Sequence, residues 1–410
     1  VVFDTFVRTL RFIFPKVTYV SNITDIDDKI IEAAVEQNVE ISVITKKFTK
    51  IYNEDMAKLN VLAPDVQPKA TEYIPEMIDL IKELIEKDFA YEKDGHVLFH
   101  VPTYENYGKL SNRIKDEQIA GSRVDVADFK KDPADFVLWK PSTGVQPGWE
   151  SPWGIGRPGW HTECSAMSEK TLGLPLDIHG GGRDLIFPHH ENEIAQSCCT
   201  AAENSNPESY AKYWMHNGFV TIDGEKMSKS LGNIILVNEL TQKYHGEVIR
   251  LALLSTHYRQ ALDWNDNVIH QAKKLLDKLY SLLNELNDVK ESKEPDNDLI
   301  EILLDDLNTP GLMANINKLL KNAESLEEGD KPNLKSNLLL IGKLMGILED
   351  RSYNQISSEF KDKVDNLIED RSNAKKKRDF ELADKIRSEL IDLGVEINDS
   401  PEGTTWKVVK

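Results

Sequence analysis

The chain has 410 residues, of which 40% are hydrophobic and 29% charged, a composition typical of a folded protein of roughly two to four domains. Its 50 lysines and arginines stand against 69 acidic residues, and the net charge of −19 argues against a polyanion binder held by bulk electrostatics. The sequence has no apolar run of about 18 residues, which a membrane span needs, and its three cysteines are too few for a disulfide framework, so we expect a reduced, cytoplasmic protein.

The chain opens at Val1 in a largely apolar stretch that runs to Phe14 and is interrupted by Asp4. Neither a secretory signal nor a transit peptide has this pattern, because it offers no cleavage site. We interpret the stretch as the interior of a domain whose first strand and turn precede Val1.

The first half of the chain alternates between strand and helix patterns, which predicts an α/β fold with a parallel sheet. An insertion at about 70–150 interrupts the alternation. Strands are expected at 17–20, 176–179 and 219–222, with a small β region at 89–110. Helices are expected from about Asp27 and over 42–59, 73–88, 161–171 and 190–202. The segment 140–160 is rich in Pro, Gly and Trp, which predicts an ordered loop.

The pattern changes after Asp263. Residues 266–350 have a helical period without strand signals, and the first helix carries an apolar stripe of leucines at 275, 276, 279, 282, 283 and 286. The last sixty residues predict a charged helix pair and a short strand near 395–397. We therefore expect a helical bundle followed by a small C-terminal region.

One candidate metal site involves His189 and Glu193, which are four residues apart and share a helix face. Cys164 can add a thiolate, and sulfur, nitrogen and oxygen together are ligands that zinc accepts. The alternatives are a surface hydrogen bond for the pair and simple packing for the cysteine. Cys198 and Cys199 form a rival pair, but adjacent helical residues point about 100° apart, so we assign both to packing.

A second candidate site is the glycine-bounded segment 224–233, which follows a predicted strand. It carries Lys226 and Lys229, three residues apart, together with Ser228 and Ser230. Lysine ammonium groups, hydroxyls and backbone N–H groups suit a phosphate chain. A solvated basic loop is the alternative.

The order of these residues points to a family. Residues 226–230 read KMSKS, the nucleotide-handling signature of class I aminoacyl-tRNA synthetases. With YVSNITDIDDKII at 19–31, SPWGIGRPGWHTECSAMS at 151–168, DIHGGGRDLIFPHHENEIAQS at 177–197 and DSPEGTTW at 399–406, the chain resembles cysteinyl-tRNA synthetases over essentially its whole length. The resemblance implies a Rossmann-like catalytic domain over 1–222, a KMSKS loop and stem-contact region over 223–265, a helical bundle over 266–350 and an anticodon-binding region over 351–410.

The resemblance also implies a reaction, in which ATP activates L-cysteine to cysteinyl adenylate and the cysteinyl group passes to the 3′ end of tRNA(Cys). It implies Mg²⁺ with ATP and one Zn²⁺ on Cys164, His189 and Glu193. Because zinc binds thiolate better than a serine hydroxyl, it would make an editing domain unnecessary. The family's remaining site residues match catalytic Lys226, Ser228 and Lys229, ATP-binding Lys229, Gly181 and Asp184, and cysteine-binding Thr24, Trp160, His179 and Asp184.

In the family, a HIGH-type signature and a first zinc cysteine lie just upstream of the segment that matches Val1–Thr5. We therefore expect a natural N-terminal segment before Val1. Near the other end, the basic run 374–378 suggests a tRNA contact, with Arg371, Lys375 and Asp384 as candidates for the anticodon. We expect a monomer.

Two other functions remain open at this point. A related ligase that transfers activated cysteine to an amino-sugar would lack the tRNA-binding C-terminus, and residues 351–410 favour the tRNA enzyme. A catalytically inactive zinc- or tRNA-binding relative is the other alternative. An intact KMSKS signature and an intact zinc trio argue against it.

Overall fold

The computed structural model describes residues 1–113, 128–144, 146–201, 206–227, 231–292, 295–350, 352–353, 358–400 and 403–408. They form two compact units, Val1–Glu349 and Asp350–Lys410. Within this described part of the chain, no helix has the length and hydropathy that crossing a bilayer demands. The finer division of the first unit near residues 222 and 265 stays a prediction.

Residues 1–264 of the first unit mix helices with strands. Its elements are α1 (Val2–Ile13), α2 (Asp28–Gln37), α3 (Ile41–Lys58), α4 (Ile74–Glu86), β1 (Ala90–Lys93), β2 (His96–Phe99), β3 (Phe136–Pro141), β4 (Gly156–Pro158), α5 (Trp160–Leu172), β5 (Leu176–Gly182), α6 (Glu191–Thr200), β6 (Ala211–Asn217), β7 (Val220–Ile222), β8 (Glu225–Lys226), α7 (Val237–Leu240), α8 (Gly246–Leu254) and β9 (Leu262–Trp264). The predicted helices therefore exist, with ends that differ by a few residues.

The α/β fold and its parallel pairing are confirmed. β5 pairs with β6 in parallel from Leu176↔Ala211 to Gly182↔Asn217, and β7 pairs with β9 in parallel. The prediction of a strand at 17–20 is largely wrong, because only Val20 of this segment pairs, through an isolated bridge to Val66. A period-2 pattern of four residues is too short to specify a partner strand, and pairing depends on that partner.

Between Ala90 and Pro158 the described residues form a four-stranded antiparallel sheet in the order β1-β2-β3-β4, whose last strand lies beyond the predicted insertion at about 70–150. The predicted β region at 89–110 contains β1 and β2, but β3 and β4 lie beyond it. The segment 140–160 is not wholly a loop, since it includes the end of β3 and all of β4. Glycine and proline favour loops, yet an edge strand tolerates them because one side needs no ladder hydrogen bond.

The rest of the first unit is helical, as predicted: α9 (Asp266–Glu285), α10 (Asp298–Leu304), α11 (Thr309–Ala323) and α12 (Lys331–Met345). Leu276, Leu279 and Leu286 of the predicted stripe are buried. The second unit contains α13 (Ser358–Lys376), α14 (Phe380–Asp392), β10 (Val395–Ser400) and β11 (Gly403–Val408), with β10 and β11 paired antiparallel. Its strand β11 was not expected from the sequence.

A buried arginine connects the bundle to the rest of the first unit. Arg250 on α8 is fully buried. Its guanidinium donates to one carboxylate, one hydroxyl and three backbone carbonyls, at Asp4, Thr5, Leu59, Asn60 and Met345. Burial by itself raises the pKa of the Asp4 carboxyl, but Arg250 and further donors bring this pKa below its ordinary value. The junction therefore holds α1, the end of α3 and the end of α12 together.

We expect Arg250→Met to lower the free energy of unfolding by about 3–5 kcal/mol, because it leaves the Asp4 carboxylate buried without its partner. Because the pKa of Asp4 is lower in the folded chain than in the unfolded one, the pair stabilises at neutral pH, and its contribution is lost as pH falls through the folded pKa. Urea unfolding at pH 7 measures the loss. Arg259→Met is the control, since the Arg259 side chain is 57% exposed beside Asp306. This substitution should lower the free energy of unfolding by less than about 1 kcal/mol. Equal losses for the two variants would contradict the prediction.

Candidate active site

Two helices bring the predicted metal ligands together. α5 carries Cys164, while His189 lies in the π-helical turn Ile186–His190 that immediately precedes α6, and Glu193 lies within α6. Buried side-chain hydrogen bonds join the helices, from Thr162 to Gln196 at 3.0 Å and from Gln196 to Ser165 at 3.2 Å. These bonds fix the face of α5 that carries Cys164 against the face of α6 that carries Glu193.

Cys164, His189 and Glu193 form a cluster in which the candidate ligand atoms all lie within 4.8 Å of one another. Oε1 of Glu193 lies 2.7 Å from Nε2 of His189, yet this buried oxygen has no partner in hydrogen-bond geometry among the described residues. This arrangement suits a common cation.

Glu193 is also held from its other side. Its Oε2 accepts a hydrogen bond from the Tyr210 hydroxyl at 2.5 Å and lies 3.1 Å from Nε2 of His179. Burial by itself raises the pKa of the Glu193 carboxyl, but the imidazoles of His179 and His189 bring it well below its ordinary value. Glu193 is therefore an ionised carboxylate, with one oxygen engaged and the other turned toward His189.

His179, His190 and Glu193 form a second group with metal-ligand spacing, and it shares Glu193 with the first group. Nδ1 of His190 lies 2.8 Å from Nε2 of His216, and Nδ1 of His161 lies 2.9 Å from Nδ1 of His189. Burial lowers the pKa of His161 and of His190 to about 3 and that of His216 to about 4. These rings are neutral at pH 7, so each offers one lone pair and one N–H.

The donor set of the first group fits a thiophilic metal ion. Burial, with Glu193 and Glu163 nearby, raises the pKa of the Cys164 thiol well above its ordinary value. A thiol in such surroundings needs a cation to become a thiolate, and a zinc ion supplies this charge. One sulfur, one imidazole nitrogen and one carboxylate oxygen match zinc sites that keep a position open.

Of the other residues predicted around cysteine, Trp160 directly contacts the cluster. The Trp160 ring, 47% exposed, has its centroid 4.1 Å from that of His189. Thr24 follows Asn22, whose amide nitrogen lies 3.7 Å from the sulfur of Cys164. Asp184 is exposed in a short turn after β5. A Cβ on Gly181 would lie 2.9 Å from the His190 ring, so a larger residue would displace that imidazole.

Sequence reasoning missed several residues of this site. Tyr210, Asn22, His161 and His216 contact the cluster or its histidines, and none was proposed. His161 lies in the quoted segment 151–168, next to Trp160, so its position offered a signal. Tyr210 directly precedes β6 and His216 lies on it. Because β6 was not predicted, the sequence offered no signal for either residue.

Lys226 ends β8, and its Nζ lies 5.4 Å from the centroid of the Phe219 ring. The predicted catalytic residues Ser228 and Lys229, with Ser230, lie outside the described residues. Cys198 and Cys199 are buried, as their assignment to packing requires.

In the second unit, the three candidate anticodon residues differ in their surroundings. Arg371 is buried and donates two hydrogen bonds of 2.9 Å to the Asp399 carboxylate, which also accepts one from Lys375 at 2.7 Å. These donors hold the pKa of Asp399 far below its ordinary value. Asp384 is exposed on α14, and Phe380 at the start of that helix is 63% exposed.

Comparison with known proteins shows similarity over the whole chain. Residues 1–274 match the family described as tRNA synthetases class I (C) catalytic domain. A cysteine–tRNA ligase of Parvibaculum lavamentivorans is 54% identical, over 100% of this chain and 88% of that protein. A cysteine–tRNA ligase of Rhodospirillum rubrum is 49% identical, over 99% and 90%.

Solved structures show the same fold at low identity. The methionyl-tRNA synthetase of Mycobacterium tuberculosis, in complex with methionyl-adenylate, superposes with a TM-score of 0.56 at 16% identity, over 84% of this chain and 87% of that one. A putative arginyl-tRNA synthetase of Campylobacter jejuni gives 0.52 at 14% identity, over 85% and 88%.

Proposed function

This chain belongs to the cysteine–tRNA ligase family of the class I tRNA synthetases, and we propose that it joins L-cysteine to tRNA(Cys) at the site around Cys164, His189 and Glu193. The predicted family is thereby confirmed. In the first step, a carboxylate oxygen of cysteine attacks the α-phosphorus of ATP, and pyrophosphate leaves with the electron pair of the broken P–O bond. In the second, a hydroxyl of the terminal tRNA ribose attacks the carbonyl carbon of the adenylate and loses its proton, and AMP leaves with the electron pair of the broken C–O bond.

The observation that carries this assignment is the convergence of a thiol, an imidazole and a carboxylate beside an exposed tryptophan. We assign one Zn²⁺ to Cys164, His189 and Glu193. When bound, zinc favours a thiolate over a serine hydroxyl, because the thiol has the lower pKa and sulfur is the softer ligand. The pocket would thus distinguish the two amino acids by chemistry, where shape alone discriminates weakly.

The surrounding residues would orient these ligands. For Nε2 of His189 to offer a lone pair, its proton must sit on Nδ1, which then donates to Nδ1 of His161 at 2.9 Å. Tyr210 and His179 hold Oε2 of Glu193 and leave Oε1 for the ion. We assign Trp160, Thr24 and Asp184 to the rest of the amino acid.

For ATP, we propose that Lys226, Ser228 and Lys229 bind the phosphates together with Mg²⁺, and that Gly181 and Asp184 line the nucleotide. Lysine is a compact charge suited to phosphate oxygens. Charge that develops as pyrophosphate leaves would be stabilised by these groups more strongly than charge in the ground state. The lysines would therefore act mainly on the rate of adenylation.

Lys229→Ala is expected to slow adenylate formation on the order of 10²-fold, as the loss of one transition-state donor does, while leaving zinc content unchanged. Single-turnover formation of cysteinyl adenylate in a rapid-quench instrument measures the rate constant. The affinity for cysteine should change little, because the lysine contacts ATP. Lys212→Ala is the matched control, since this exposed lysine pairs with Asp177 on β5. An unaltered rate in Lys229→Ala would make the segment a solvated turn.

For tRNA, we propose that the second unit recognises the anticodon with Lys375 and Asp384. Its exposed lysines, with Phe380, resemble surfaces on which phosphates are neutralised and unpaired bases stack. Because Arg371 is buried, we assign it to holding Asp399 in place and not to direct contact. We further propose that the protein acts in the cytoplasm, where tRNA is charged, and that it is a monomer.

Cysteine-dependent ATP–pyrophosphate exchange tests the proposed reaction. We expect kcat/KM for cysteine to exceed that for serine by about 10⁴-fold or more, since a site built around one group rejects the analogue that lacks it. Comparable rates would refute selection by a thiophilic ion. Charging of tRNA(Cys) but not of an amino-sugar in the same preparation separates the tRNA enzyme from the related ligase.

A further inference from the structure

The carboxylate of Asp263 lies at the base of the hairpin formed by β7 and β8. Asp263 is the central residue of β9, directly opposite Thr221 in the parallel pair of β7 and β9. Its Oδ1 accepts hydrogen bonds from the Thr221 hydroxyl at 2.8 Å and from the Gly224 N–H at 2.6 Å. One carboxylate oxygen thus accepts hydrogen bonds from both strand β7 and the turn of the hairpin.

The turn itself is tight and specific. Ile222 pairs with Glu225, so only Asp223 and Gly224 connect the two strands. Their φ angles are +49° and +81°, as a two-residue turn of type I′ requires, and Asp-Gly is a preferred sequence for it. The Gly224 N–H therefore points out of the hairpin, where the Asp263 carboxylate receives it.

The same carboxylate is tied to the bundle on its other side. The Asn265 amide donates to Oδ2 of Asp263 at 3.1 Å, while its side-chain oxygen accepts from the Val268 N–H and caps α9. The N–H of Asp223 also donates to the carbonyl of Trp264 at 3.3 Å. Asp263 therefore connects the hairpin to the first turn of a 20-residue helix.

The hairpin carries Lys226, the first residue of the KMSKS signature. Lys226 pairs with Thr221 across the hairpin, and its carbonyl accepts a hydrogen bond from the Asn233 amide at 3.2 Å. The position of this lysine is therefore set by the strand that Asp263 holds. A displacement of the strand would move Lys226 by a similar distance.

We propose that Asp263 is a positioning residue for adenylation, which anchors the β7–β8 hairpin so that Lys226 meets the phosphates of ATP. The proposal rests on the proposed function only in taking ATP as the ligand of the signature. The Gly224 N–H, with Thr221 and Asn265, lowers the pKa of the carboxyl, so it is ionised at pH 7. Since Asp263 is exposed, its side chain contributes little core, and its loss should affect geometry more than folding.

The first test compares Asp263→Ala and Asp263→Asn in cysteine-dependent ATP–pyrophosphate exchange. For alanine we expect kcat/KM for ATP to fall about 10- to 10²-fold, the range for a small misplacement of a catalytic group, with the KM for cysteine unchanged. Asparagine keeps one acceptor oxygen and should recover part of the loss. Asp65→Asn is the control, because Asp65 is also exposed and accepts a backbone N–H, from Tyr19 at 2.7 Å.

A double variant shows whether Asp263 acts through the lysine. In the Lys226→Ala background, Asp263→Ala should have almost no further effect on kcat/KM for ATP. Independent losses that multiply would overturn the proposal, as would an Asp263→Ala enzyme with wild-type kcat/KM for ATP.

Hydrogen exchange of the segment 220–226, followed by mass spectrometry, tests the anchor without amino-acid activation. MgATP should slow exchange in the wild type and in Asp65→Asn, but much less in Asp263→Ala. Equal protection by MgATP in the three proteins would overturn the proposal. If cysteine-dependent exchange were absent from the wild type, the proposed function would fail, while the protection measurement would still decide the role of Asp263.

Discussion

Replacing Cys164 with alanine is expected to remove the zinc ion and to reduce cysteine-dependent pyrophosphate exchange by more than about 10²-fold. Loss of a partner that only orients a ligand already costs about 10–10²-fold in affinity or activity, and Cys164 supplies a ligand atom itself. It is the cysteine of the group whose candidate ligand atoms lie within 4.8 Å of one another. Metal analysis of the purified protein and exchange rates measure the two effects.

The chain provides its own matched control in Cys199→Ala. Cys199 is a buried cysteine on α6, the helix that carries Glu193, but it belongs to neither group with metal-ligand spacing among the described residues. This variant loses buried volume without losing a ligand, so it should keep one zinc ion and most of its activity. Undiminished zinc in Cys164→Ala, or equal loss in both variants, would contradict the assignment.

Removing the zinc ion with a chelator is an independent test of the same site. Removal of zinc should leave Glu193 held by Tyr210 and His179, since these contacts do not involve the ion. The fold around the site should therefore survive, and added Zn²⁺ should restore exchange. The ligands are thus expected to be preorganised by the protein and not assembled by the metal.

The sequence could predict the metal group because its geometry is partly local. His189 and Glu193 lie four residues apart, and a helix places such residues on one face whatever the rest of the chain does. His189 lies in the π-helical turn Ile186–His190 and Glu193 in α6, and their side chains still approach to 2.7 Å. Cys164 was proposed as a third ligand from its residue type, and the family resemblance then assigned zinc to the same three residues.

The contacts that support this group could not be predicted in the same way. Tyr210 directly precedes β6 and His216 lies on it, and β6 reaches the site through parallel pairing with β5 across about thirty residues of chain. Such pairing depends on tertiary packing and leaves little local signal. Likewise, Asp399 meets Arg371 from 28 residues away, so the sequence suggested a free basic face where the structure pairs a buried arginine with an exposed aspartate.

The secondary structure shows the same difference between features set by local sequence and features set by tertiary pairing. Long periodic helices such as α3 and α4 were predicted within a few residues, because their apolar spacing repeats over several turns. Short strands rich in glycine or proline were not, as β4 illustrates: Gly156 and Pro158 suit a loop, and only pairing with β3 makes the segment a strand. Local propensity thus decides the helices, whereas tertiary partners decide the edge strands.

Removing residues 351–410 is expected to leave cysteine activation largely intact while charging of tRNA(Cys) collapses. The metal group and Lys226 lie in the unit Val1–Glu349, and the exposed basic and aromatic residues lie in Asp350–Lys410. Each unit has its own core, the second around Val364 and Leu390, so the first should fold without the second. We expect kcat/KM for tRNA to fall about 10²–10³-fold, equivalent to about 3–4 kcal/mol of binding free energy.

Changes of salt concentration and of the anticodon bases separate the phosphate contacts from the base contacts that contribute to that loss. Binding of tRNA to the intact enzyme should weaken as salt rises, because lysines of the second unit neutralise phosphates, and the truncated protein should show a smaller dependence. Asp384→Asn in the intact enzyme should leave the salt dependence unchanged but reduce discrimination between anticodon variants, since base contacts specify and phosphate contacts position. Steady-state charging of wild-type and anticodon-substituted tRNA measures both. A truncated protein that charges tRNA(Cys) as well as the intact one would show that the second unit takes no part in recognition.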